Sequence, residues 1–120
     1  MHYFTEAVVL KSIPYGEADL VVTYLTKNYG LLNLFAKSPR KIKSRFGSSL
    51  EPLTYSKISF IGRQDNLQKI VQSDIIHSFQ TIRDNYRLFL RIAETLRFLI
   101  QLLPKRESNN EIFYLLINTL

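Results

Sequence analysis

Cysteine is missing from all 120 residues, which excludes disulfides and thiolate metal sites within the chain and is compatible with a reducing cytoplasm. Glycine and proline are scarce at four each, and disorder is not expected of a chain so rich in apolar residues. Long hydrophobic runs are missing too. The longest unbroken one, Ile112 to Ile117, is far short of the roughly 20 residues a membrane span needs. The opening MHYFTEAVVLKSIPYGE has no basic start, and Glu6 interrupts its apolar stretch. No targeting segment is legible there, and a soluble chain is expected.

What is present supports a packed core. Hydrophobic residues make up 46% and aromatics 12%, enough for one ordinary domain, or one small domain and part of another. The net charge of +6 and pI near 9.7 favour an anionic partner, nucleic acid ahead of an acidic membrane surface. One stretch concentrates this charge. KSPRKIKSRFG, from Lys37 to Gly47, puts five cations into the nine residues 37–45 with no carboxylate among them, although ten acidic residues exist elsewhere.

The first two thirds of the chain predict strands. Residues 4–13 are rich in β-branched and apolar side chains, PYGEAD breaks them, and LVVTYLT at 20–26 suits a pleated sheet better than a helix. KNYG then turns, with Gly30 free to take positive φ, and LLNLFAK at 31–37 forms a third strand in a hairpin with the second. After the basic loop, PLTYSKISFIG at 52–62 places Thr54, Ser56, Ile58 and Phe60 on one face. RQDN turns into a fifth strand, 67–76. Five short strands separated by turns suggest a small barrel or sandwich.

The last third changes period. Phe89, Ile92, Ala93, Leu96, Leu99, Ile100 and Leu103 follow helical spacing, with Arg87, Arg91, Glu94 and Gln101 opposite and Pro104 as a stop. The stripe fits domain core better than a membrane-surface or partner helix. SNNE at 108–111 reads as a capping box pairing Ser108 with Glu111, opening a helix whose stripe is Phe113, Leu116, Ile117 and Leu120. Two such helices cannot bury their apolar faces alone. They pack on the barrel, pair with another chain, or begin a longer domain, and the last is the reading taken.

The residues now assembled carry a resemblance. Val9-Leu10-Lys11, Tyr15-Gly16-Glu17-Ala18-Asp19, Thr26, Gly30-Leu31, Ala36-Lys37, Lys43-Ser44-Arg45 and Leu50-Glu51-Pro52-Leu53 occur in an order and spacing that resemble the N-terminal domain of the RecO family of bacterial recombination mediators and DNA repair proteins. Ser38 departs from the family, which often has Gly there, and Pro39 stiffens the loop further. The resemblance implies an oligonucleotide/oligosaccharide-binding (OB) fold, here mainly β with C-terminal helices: a five-stranded barrel over 1–78 and an incomplete helical domain over 79–120. It also implies binding of single- and double-stranded DNA, annealing of complementary strands, and work with RecR and single-stranded DNA-binding protein to load the recombinase RecA. Many members hold zinc on a cysteine cluster in their second half; this chain has none, and no cofactor is expected in it. A cytoplasmic, nucleoid-associated location follows from the same resemblance.

Within that frame Lys37, Arg40, Lys41, Lys43 and Arg45 are the expected phosphate contacts, because cations that neutralise phosphates release condensed counterions without reading sequence. The alternative for such a run is a solvated face that serves solubility. Phe46 is a candidate for base stacking, weighed against core packing, as are Tyr29, Tyr55 and Phe60. Lys11, Lys57, Arg63 and Lys69 would widen the basic face if they point its way. Catalysis finds no support. His2 and His77 lack ligand spacing, and no phosphate-binding glycine loop or nucleophile elbow occurs. A binder is expected rather than an enzyme. The competing classes are an adapter that docks RecR or the acidic tail of single-stranded DNA-binding protein, and an RNA-binding OB domain.

Overall fold

The computed structural model describes residues 2–37, 46, 48–102 and 110–119. Five strands, β1 (His2–Tyr15), β2 (Asp19–Thr26), β3 (Gly30–Ala36), β4 (Tyr55–Ile61) and β5 (Gln68–His77), close into a barrel in the order β1-β2-β3-β5-β4. This is the OB-type architecture expected from the sequence. The first strand makes closure possible. It is long enough to pair with β4 through its first half, His2 to Val8, and with β2 through its second, Ala7 to Tyr15. A bulge between Val9 and Lys11 supplies the bend that a strand needs to serve both sides. Only two residue pairs, Leu34 with Gln68 and Phe35 with Lys69, join β3 and β5, and they run parallel.

Alternation along the strands sorts the side chains into two layers. Inward residues such as Val9, Val22, Tyr24, Leu34, Phe60 and Ile70 fill the interior. Outward residues at one end, Val8, Leu25 and Leu31, form a second cluster with Leu53 and Phe113. That outer cluster is where the helices land. Helices α1 (Gln80–Asp84), α2 (Tyr86–Leu102) and α3 (Asn110–Thr119) bring Ile82, Phe89, Ile92, Leu116 and Ile117 against it, and Phe113 is fully buried there. The apolar stripes therefore find part of their cover on the barrel wall, one of the fates the sequence left open. The opposite sides stay uncovered: Phe98 and Leu102 on α2 and Leu115 on α3 are each more than 60% exposed.

Local differences from the sequence reading have physical causes. Strand β4 starts at Tyr55 rather than residue 52, because Pro52 and Leu53 belong to a turn. Leu53 sits at φ 70°, a left-handed conformation costly for leucine. Its side chain is 1% exposed, and its N–H donates to the Val9 carbonyl at 2.8 Å. The sequence pattern marks no helix at 80–84, where α1 forms; His77, whose Nδ1 accepts the Phe79 N–H at 2.9 Å, steadies the chain as it leaves the sheet. Gly30 takes φ 69° as expected. The capping partner Ser108, the stop residue Pro104 and the stripe residues Leu103 and Leu120 lie outside the described residues.

Candidate nucleic-acid interface

Residues paired across strands point to the same side of a sheet. From the register, Ile13 faces Val21, Val21 faces Phe35 and Phe35 faces Lys69, so a row runs across β1, β2, β3 and β5 on the outer wall. The rows beside it hold Tyr15 opposite Asp19, and Lys11 opposite Thr23, which in turn faces Asn33. Thr23 donates to Asn33 Oδ1 at 2.6 Å, fixing the middle of the wall. Among the described residues, the helices pack on the far end, at Leu25 and Leu31. At the open end Tyr15 is 60% exposed and Ile13 49%, and the rings of Tyr15 and Phe35 meet edge to face at 5.9 Å.

Three cations stand around this open end, with Glu17 and Asp19 at its β1–β2 turn. Lys11 and Lys37 are exposed and Lys69 is half-buried. Lys37 occupies the bend that follows β3, where the basic stretch begins. Arg40, Lys41, Lys43 and Arg45, like Ser38 and Pro39, lie outside the described residues. From Leu50 to Thr54 the chain is held to β1. Ser49 caps the Phe46 carbonyl through both its N–H (3.0 Å) and its hydroxyl (2.6 Å). Ser12 donates to the Leu50 carbonyl at 2.7 Å, and Val9 N–H donates to the Thr54 carbonyl at 3.0 Å.

Phe46 requires a correction. Its ring is 4% exposed and packs in the barrel interior with Leu50, so it anchors the end of the basic stretch and offers no face to a base. Phe60 is likewise a core ring, and Tyr29 packs half-buried against that core. The sequence reading passed over Ile13, Tyr15 and Phe35. In the sequence Tyr15 belongs to the break PYGEAD, and Phe35 to the third strand with no face assigned. The available signal was Asn33: a polar residue inside LLNLFAK marks the outward parity, which Leu31 and Phe35 share.

Other expected cations are placed elsewhere. Lys57 lies between Glu6 and Asp74 in the register, so carboxylates flank it. Arg63 is exposed in the β4–β5 turn, near Asp65. Between these features a groove of about 370 Å³ is lined by residues including Phe4, Glu6, Lys27, Lys57 and Asp74, two cations against two carboxylates. Glu6 is the hub of this side. It accepts from the Tyr55 hydroxyl and lies 3.7 Å from Lys27 Nζ, and Lys27 sits 5.4 Å above the Tyr114 ring of α3. Tyr114 and then Glu6 hold the Lys27 amine above its usual range. The groove balances its charges, whereas the β1–β2–β3–β5 wall carries Lys11, Lys37 and Lys69 against Glu17 and Asp19. No cluster of potential metal ligands occurs among the described residues.

Burial first, and then the Glu6 carboxylate, push the Tyr55 phenol up to about 12 from its ordinary 10.0. A folded value above the unfolded one favours folding while the phenol stays protonated. The contribution is complete below pH 10 and is lost as the pH rises from there through about 12. In an ultraviolet tyrosinate titration, Tyr55→Phe is expected to remove one phenol that ionises near 12. Loss of a phenol that ionises at the ordinary 10.0 instead would contradict the Glu6 contact.

A closed five-stranded barrel of this strand order defines a fold class, the OB-type barrels, whose members serve oligonucleotide and oligosaccharide binding. Sequence comparison supplies the family. The model of the family described as "Recombination protein O N terminal" matches residues 1–79, and the chain belongs to that family. It is 84% identical over 120 residues to the DNA repair protein RecO of Thermodesulfovibrio yellowstonii, covering all of this chain and 48% of that one. The RecO proteins of Koribacter versatilis (34% over 112 residues; 92% and 46% covered) and Salinibacter ruber (37% over 101 residues; 81% and 39%) are also similar. The chain thus spans about half the length, or less, of these curated relatives.

Proposed function

We propose that this chain is a DNA-binding and strand-annealing factor of DNA repair, of the recombination-mediator kind, assisting recombinase loading onto single-stranded DNA. The observation that carries it is the positive outer wall: Lys11, Lys37 and Lys69 around an open sheet face, continuous in sequence with the basic stretch 37–45. The name DNA repair protein RecO, borne by the relatives, supports the repair setting. Two strands held against a cationic surface repel each other less, because the lysines and arginines replace part of the counterion atmosphere each strand carries. Complementary sequences can then pair with no nucleotide hydrolysis, no cofactor and no catalytic residue. Single- and double-stranded DNA both qualify as ligands, since phosphate contacts carry no sequence information. A cytoplasmic, nucleoid-associated location suits that role.

A second reading has its own support. The exposed apolar side chains Phe98, Leu102 and Leu115 on α2 and α3 suit a protein contact, so the chain would also act as an adapter for RecR or the acidic tail of single-stranded DNA-binding protein. Pull-down with that tail at modest salt, set against binding of bare oligonucleotide, separates the two roles.

Annealing of complementary oligonucleotides at rising salt tests the leading reading. If about four phosphates of a single strand are neutralised, the logarithm of the affinity falls with that of the salt at a slope of about −3. Annealing enhancement is expected to fade with the same dependence. Affinity and annealing that ignore salt would remove the electrostatic basis.

A further inference from the structure

We propose that Ile13, Tyr15 and Phe35 form a stacking platform for unpaired bases, so that this face grips a single strand through bases as well as phosphates and loosens its hold once the strand has paired. The proposal rests on the nucleic-acid reading above and goes beyond charge to say which part of the ligand the wall recognises.

Single exposed apolar residues are ordinary on protein surfaces. These three differ in being contiguous. Ile13 and Phe35 share one cross-strand row through Val21, and Tyr15 closes over that row to meet Phe35 at 5.9 Å and 89°. Edge-to-face contact orients both rings while Tyr15 stays 60% exposed. With strands spaced about 4.8 Å apart, the row is about 10 Å wide, room for about two or three nucleotides. Lys69 faces Phe35 at one end of the row, with Lys11 and Lys37 on the flanks.

An apolar ring patch framed by lysines matches one ligand chemistry closely: a polyanion that also carries π-faces. An acidic peptide satisfies the lysines but leaves the rings without partners. A duplex satisfies the lysines but keeps its base faces stacked inside. Only an unpaired strand offers both. Stacking engages the face of a base and leaves its pairing edge free, so a strand held this way can still be read by its complement. Pairing then withdraws the bases from the rings, and the product retains only its phosphate contacts. Glu17 and Asp19, at the β1–β2 turn beside Tyr15, repel phosphate and direct the strand toward Lys37 and Lys69.

Three labelled probes of equal length test this by fluorescence anisotropy: oligothymidine, the same sugar–phosphate chain without bases, and a duplex. Oligothymidine is expected to bind about tenfold more tightly than the abasic strand, the effect of roughly one stacked base, and Tyr15→Ser is expected to bring that ratio to about one. A serine at so exposed a position leaves the barrel core untouched. Because the chain has no tryptophan, Tyr15→Trp adds a sole indole, whose emission oligothymidine should quench and the abasic strand should not. Equal binding of the two strands, an unchanged ratio in Tyr15→Ser, or quenching by duplex as strong as by oligothymidine would overturn the platform and leave the electrostatic reading standing. Failure of all three probes to bind would overturn both.

Discussion

Alanine at Lys37, Arg40, Lys41, Lys43 and Arg45 together is expected to lower single-strand affinity by about a thousandfold at 0.1 M salt. Each phosphate neutralised on a single strand contributes about 0.7 of a decade per decade of salt dilution below 1 M. Four contacts therefore account for about three decades at 0.1 M. The salt slope should flatten from about −3 toward the small value that Lys11 and Lys69 sustain, and annealing should fall with it. Conversion of Lys37, Lys41 and Lys43 to arginine keeps the charge and should change affinity only a few-fold, since a phosphate backbone contacted without sequence readout asks mainly for positive charge. Oligonucleotide titrations at three or more salt concentrations decide the matter. An alanine variant with unaltered affinity and slope would move the interface away from this stretch, to the sheet wall alone or to the exposed Arg87 and Arg91 of α2.

Phe60→Ala is expected to cost about 3–5 kcal/mol, the range for removing a large aromatic side chain from a packed interior. Its ring is 1% exposed, stacked on Tyr3 at 5.0 Å and edge-on to Tyr29 at 5.7 Å, and β1 and β5 flank it through Tyr3 and Ile70. The truncation therefore leaves a void between three strands of a closed structure that has little freedom to collapse. Against a typical total stability of about 5–15 kcal/mol, that is a large share. Phe4→Ala supplies the contrast. Phe4 is next to Tyr3 on the same strand but points outward at 65% exposure, and its replacement should stay within about 0.5 kcal/mol. Urea midpoints of the two variants test the assignment of faces. Equal shifts would mean that β1 does not alternate as described.

Much of the barrel was legible because strand periodicity, turn residues and composition agree. LVVTYLT is β-branched, Gly30 stands where the hairpin needs positive φ, and Ile58 and Phe60 alternate inward as the pattern requires. The failures occur where a residue's partner is distant in sequence. Pro52 and Leu53 resemble the start of a strand until Val9, 44 positions before Leu53, takes the Leu53 N–H for itself. Phe46 follows four cations closely and would pass for part of the contact surface; packing with Leu50 inside the barrel makes it an anchor. Lys57 counts as one more positive charge in the composition, and only the flanking strands reveal the carboxylates on either side of it.

The sequence by itself determined the amount of charge, its concentration between the third and fourth strands, and the alternation that makes a sheet two-faced. These are local properties, set by which residues are neighbours along the chain. Tertiary structure alone decided which face meets solvent. Closing β1 against both β2 and β4 sends one set of side chains inside. The helices then cover one end of the outer wall and leave Ile13, Tyr15 and Phe35 among lysines at the other. Side-chain parity is relative until a barrel closes and a helix docks, and only then do inside and outside exist.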